Sequence, residues 1–151
     1  MHRFYTITKI IKKYGEDIFS LDKISVEKKF IHHGKVTVYE HSLNVTYYCI
    51  MIALLLPFRV DFRSLVRGAL LHDYFLYDWH EADESHRLHG FTHAGRALEN
   101  AERDYELNDI ERDMIKKHMF PLNPAPPKYI ETVILCIADK ICAFKETVYC
   151  R

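Results

Sequence analysis

One stretch near the end of the chain constrains the whole fold. Residues 133–144 read Val-Ile-Leu-Cys-Ile-Ala-Asp-Lys-Ile-Cys-Ala-Phe, apolar nearly all round, with Asp139 in the middle. Such a helix is expected to lie mostly buried. An unpaired carboxylate inside it costs on the order of several kcal/mol in desolvation. Asp139 therefore needs an interior partner.

The same anomaly recurs elsewhere. A helix over about 39–56 carries the stripe His41, Val45, Tyr48, Cys49, Ile52, Leu56, so an imidazole opens an apolar face. The next helix starts after Asp61, a suitable N-cap, and runs to about 74. Its stripe of Phe62, Leu65, Val66, Ala69 and Leu70 continues to Asp73, with His72 at the edge. His93 shares a face with Ala97 and Ala101 in a helix read as starting near Thr92 and ending around 104. Ile110 and Met114 lead to His118 in a helix opened by Asn108, with Glu111 completing a capping box. Inward-facing aspartates and histidines from several helices call for a common partner. A divalent cation neutralises carboxylates and accepts neutral imidazoles as ligands. Mixed imidazole and carboxylate donors without thiolate suit iron, manganese, zinc, cobalt or magnesium, not a structural zinc finger.

The remaining segments fit an all-α fold of about six to seven helices. A first helix covers about 2–13, ending before Gly15, and a second about 25–32. Residues 76–91 read as an irregular polar loop, Pro121–Pro127 as a proline-rich one, and the last helix spans about 127–147. A length of 151 residues suits one domain with its own core. Lys plus Arg equals Asp plus Glu, which argues against a nucleic-acid binder built on a basic face. Cys49, Cys136 and Cys142 sit in apolar helical patterns and read as buried thiols of a reducing compartment. The longest nearly apolar run, Cys49 to Pro57, is far short of the ~20 residues that span a bilayer. A cytoplasmic protein is expected.

The ordered set His41, His72-Asp73, His93, His118 and Asp139 resembles the HD-domain phosphohydrolase superfamily. Glu40-His41-Ser42 opening a helix, Leu70-Leu71-His72-Asp73 closing one, and Ala138-Asp139-Lys140 late in the chain carry the likeness, which covers roughly residues 37–145. The resemblance implies that His41, His72, Asp73 and Asp139 hold one metal. It implies that Asp73 bridges to a second, held by His93 and His118. Tyr74-Phe75-Leu76 stands where Gly and Lys often follow the His-Asp pair. Met119 replaces the second histidine of the cyclic-dinucleotide phosphodiesterase branch, and Leu76 the glutamate of a nucleotidase branch.

The activity implied is hydrolysis of a phosphoester or phosphoanhydride in a small phosphorylated substrate, possible nucleotides included, with iron or manganese favoured. Bound ions would supply hydroxide at neutral pH and polarise a phosphoryl oxygen. Asp78 is a candidate proton donor. Arg87, Lys117 and Lys140 are candidate cations for the reacting group. Trp79, Arg87, His89 and Lys140 are candidate substrate contacts, and His89 is also an alternative to His93. His32 and His33 are placed near the mouth or on the surface. The rival classes are a non-catalytic metal or nucleotide sensor and a helical interaction protein. Aromatic residues of the first helices fit core packing and a homodimer interface equally well.

Overall fold

The chain is organised around one short helix that is buried from its third residue onward. Residues 64–75 are buried without interruption, so the segment must be surrounded. In the computed structural model, which describes residues 2–21, 30–33, 36–75 and 89–149, this is α3, Phe62–Leu71. The other elements are α1 His2–Ser20, β1 Ile31–His33, β2 Val36–Thr37, α2 Val38–Ala53, α4 His89–Asp104, α5 Asp109–Lys117 and α6 Ile130–Tyr149. The fold is all-α, with six helices among the described residues and one two-stranded antiparallel hairpin.

α3 packs chiefly against α1, α2 and α5, and also touches α4 and α6. It feeds two apolar clusters. Val66, Leu70 and Leu71 join Ile7, Ile18, Ile50, Ala97 and Ile115 on one side. Leu65 and Ala69 join Val45, Cys49, Met114, Leu135 and Ala138 on the other. Gly68 lets α5 come close, because a Cβ there would stand 2.5 Å from Met114 Sδ.

The helix starts follow local chemistry. Asp61 caps α3 through Arg63 N and Ser64 N, as expected. Asn108 and Glu111 form the expected capping box on α5. A second box, Thr37 with Glu40, opens α2 directly from β2 and brings His41 into its first turns.

Several boundaries differ from the sequence reading. α1 does not stop before Gly15 but runs to Ser20. Its apolar stripe continues to Ile18, which is fully buried. Gly15 costs about 1 kcal/mol of helix propensity, but a Cβ there would stand 2.8 Å from Leu70 Cδ1, so the glycine permits α1 to lie against α3. Of the helix expected over 25–32, residues 31–32 belong to strand β1, and 22–29 lie outside the described residues. α2 ends at Ala53, not 56, and α3 at Leu71, not 74. α4 begins at His89, so Thr92 is inside the helix and is not its cap.

α6 is not buried all round. Ile134, Leu135, Ala138 and Cys142 face the core, whereas Ile137 is 48% and Phe144 67% exposed. It lies on the outside of the bundle, against α2, α5 and α3. Cys49, Cys136 and Cys142 are free and buried, and burial pushes the Cys142 thiol up to about 12, as expected for packing residues. No helix among the described residues is long and apolar enough to cross a membrane.

Candidate metal centre

Two helix ends build the centre. His72 is the C-cap of α3 and His118 the C-cap of α5. The last carbonyls of a helix lack intrahelical partners. His72 Nδ1 donates to Ala69 O and His118 Nδ1 to Ile115 O, both at 2.8 Å. These bonds orient each ring with its Nε2 facing inward. The carbonyl ends of both helices also favour positive charge nearby.

The six expected ligands converge. His41, His72, Asp73, His93, His118 and Asp139 are each at most 8% exposed. Asp73 stands between two groups. Its Oδ2 is 3.4 Å from His72 Nε2 and 3.8 Å from His41 Nε2. Its Oδ1 is 3.4 Å from His93 Nε2 and 3.5 Å from His118 Nε2. Asp139 Oδ1 closes the first group, 3.1 Å from His41 Nε2 and 3.8 Å from His72 Nε2. In the second, His93 Nε2 and His118 Nε2 are 2.9 Å apart.

These separations fit a metal. Donor atoms around one ion stand about 3–3.5 Å apart when each bond is about 2.1 Å. His72 Nε2 is buried and has no hydrogen-bond partner, an arrangement that an ion would satisfy. His41, His72 and Asp73 form one potential ligand group, and Asp73, His93 and His118 another.

The electrostatics agree. Burial alone would lower the His41 pKa, but hydrogen bonds to Asp139 and Glu146 and nearby carboxylate charges push it up to about 10. Burial opposes protonation of His72 too, yet Asp73 and Asp139 raise it. Burial would raise Asp139, but His41 and His72 hold it well below the usual carboxylate range. Without metal, imidazolium rings provide the positive charge that the buried carboxylates require.

α4 ties the two halves together. Asn100, seven residues after His93, donates to both Tyr74 O and Phe75 O at 3.1 Å. It thereby holds the segment after Asp73 against the helix that carries His93. Phe75 packs edge-on to the His93 ring.

The other expected site residues are distributed differently. Asp78, Trp79 and Arg87 lie outside the described residues, as do His80, His86 and the side chains of His32, His33 and His89. Lys117, expected at the reacting phosphoryl group, is paired instead with Asp113, Nζ to Oδ1 2.6 Å. Lys140 Nζ is near the end of α5, 3.4 Å from His118 O and 3.3 Å from Cys136 O.

Sequence reading missed Glu146 and Asn44. Glu146 Oε2 accepts from His41 Nδ1 at 2.7 Å, and its Oε1 accepts from Asn44 Nδ2 at 3.2 Å. The available signal was spacing: Glu146 is seven residues after Asp139, on the same helix face.

The Lys117 pairing yields a pH prediction. Asp113 also accepts from Thr132 Oγ1 at 2.7 Å and Lys128 N at 2.9 Å, joining α5 to the start of α6. Burial would raise its pKa, but Lys117 and these donors lower it. A depressed folded-state pKa stabilises above the unfolded value and loses that contribution as pH falls through the folded one. Asp113→Asn is expected to cost about 1.5–3 kcal/mol near neutrality. The gap to wild type should narrow below about pH 4 in urea unfolding; a gap that widens in acid contradicts the assignment.

A family model for the HD domain matches residues 38–143, from the first residue of α2 to the last part of α6. No curated protein and no solved structure matches the chain. The matched segment covers well over half of the sequence and contains all six converging residues. By that match and this geometry, the chain belongs to the HD domain family.

Proposed function

We propose that this protein is a metal-dependent phosphohydrolase acting on a small, nucleotide-like phosphorylated molecule. The bond cleaved is a phosphomonoester, phosphodiester or phosphoanhydride. The observation that carries the reading is the division of Asp73 between two histidine groups, Oδ2 toward His41 and His72, Oδ1 toward His93 and His118. His41, His72, Asp73 and Asp139 would hold one divalent ion, and Asp73, His93 and His118 a second, with iron or manganese favoured by the nitrogen and oxygen donors. Bound there, the ions supply hydroxide at neutral pH and polarise a phosphoryl oxygen.

The chain's own residues prepare that chemistry. Asp73 joins the two groups through one carboxylate. Carbonyl bonds to His72 and His118 hold their rings in place before substrate arrives, so little reorganisation is required during reaction. Asp78 is proposed as the proton donor to the leaving oxygen. Trp79, Arg87, His89 and Lys140 are proposed as substrate contacts. Lys117 is left out because Asp113 engages it.

The test is elemental analysis of protein purified without oxygen, followed by turnover assays with each divalent metal. The substrates are nucleotides, dinucleoside polyphosphates and simple phosphate esters. The reading expects two divalent ions per chain and release of a phosphorylated product or phosphate. Nucleotide binding without product under every metal would replace the enzyme with a sensor. Absence of metal binding would remove both.

A further inference from the structure

His41 differs from His72 and His118 in what stands behind it. His72 and His118 present Nδ1 to neutral carbonyls. His41 presents Nδ1 to the carboxylate of Glu146, which is only 5% exposed. Asp139 and Glu146, two turns apart on α6, lie beside opposite nitrogens of the same ring. The second oxygen of Glu146 receives Asn44 Nδ2, three residues after His41 on α2. The carboxylate is therefore fixed at both oxygens. Glu146 also lies three residues beyond the segment matched by the family model.

We propose that Glu146 is a positioning residue that tightens the metal site of the His41 group. A carboxylate accepting the far N–H of an imidazole sets its tautomer and orientation and increases its basicity as a ligand. A backbone carbonyl orients the ring but brings no full charge. The His41 group thus contains a charge-backed imidazole beside the carbonyl-backed ring of His72. The proposal rests on the metal-binding reading above and concerns affinity and ligand electronics, whatever the substrate.

Cobalt(II) alone is the probe, followed by calorimetric titration and by its visible absorption, with circular dichroism of the metal-free protein checking the fold. Wild type is expected to fill in two steps. Glu146→Gln keeps an acceptor but loses the charge. It should weaken one of the two steps by roughly 10–100-fold, shift the absorption of that ion and leave the other step in place. Glu146→Asp, charged but one methylene shorter, should fall between the two. Equal affinities and spectra in wild type and Glu146→Gln overturn the proposal while the metal reading stands. Wild type that binds no cobalt overturns both. If Glu146→Gln does not fold, Glu146→Asp with wild-type affinity and spectrum overturns it.

Discussion

Under the proposed metal-dependent hydrolysis, Asp73→Asn is expected to abolish binding at both metal sites and lower kcat/KM by about 10³-fold or more, since bound ions would acidify water from a pKa of about 15.7 toward about 7. Its carboxylate is shared: each oxygen faces a different pair of histidines. The amide keeps the volume but loses the charge and one acceptor, so neither group retains its anionic bridge. The informative measurement is the pattern across variants. Asp139→Asn alters only the first group and His93→Ala only the second, so each should leave one ion by elemental analysis. Asp73→Asn should leave none, with the helical circular dichroism spectrum preserved. One tightly held ion in purified Asp73→Asn protein would refute the shared role.

The centre was legible because its polar residues interrupt regular apolar stripes. His41, Asp73 and His118 each occupy a position where helical spacing demands an apolar side chain. That is a local signal, and the resemblance supplied the order that joined them. The caps at Asp61 and Asn108 were equally local. What escaped depends on contacts distant in sequence. α1 passes through Gly15, where α3 lies against the glycine, a contact from a distant segment that outweighs the local helix-breaking signal. Glu146 shares a face of α6 with Asp139, but its partner is not evident until His41 is brought beside it from α2. Thr92 has the chemistry of a cap, but α4 starts three residues earlier. The outer stripe of α6 is apolar in sequence yet exposed in the fold, because periodicity cannot tell a central helix from a peripheral one. Lys117 was decipherable in principle: Asp113 precedes it by four residues, the spacing of a helical ion pair.

Arg67→Ala is expected to cause the largest loss of stability among single changes away from the metal centre. Arg67 lies within the buried run of α3 and is 2% exposed, while its partner Glu111 is fully buried. Nε donates to Glu111 Oε1 at 2.7 Å, Nη2 donates to Glu106 O at 2.9 Å, and Nη1 pairs with Asp17 of α1. One guanidinium thus joins α1, α3 and the start of α5. The Asp17 arm is half exposed and contributes little. The cost lies in Glu111, whose carboxylate would remain buried without its nearest cation. Breaking such a pair costs about 3–5 kcal/mol, and at this chain length each kcal/mol lowers Tm by about 2–4 °C. A fall of roughly 6–20 °C follows, read by scanning calorimetry. Arg67→Met with Glu111→Gln should recover most of it, because the interior then contains neither charge and glutamine can still complete the capping box with Asn108. If the double variant is no more stable than Arg67→Ala, the loss comes from packing and not from the stranded carboxylate. If Arg67→Ala melts within a few degrees of wild type, water or Arg63, 3.6 Å from Glu111, has replaced the missing cation.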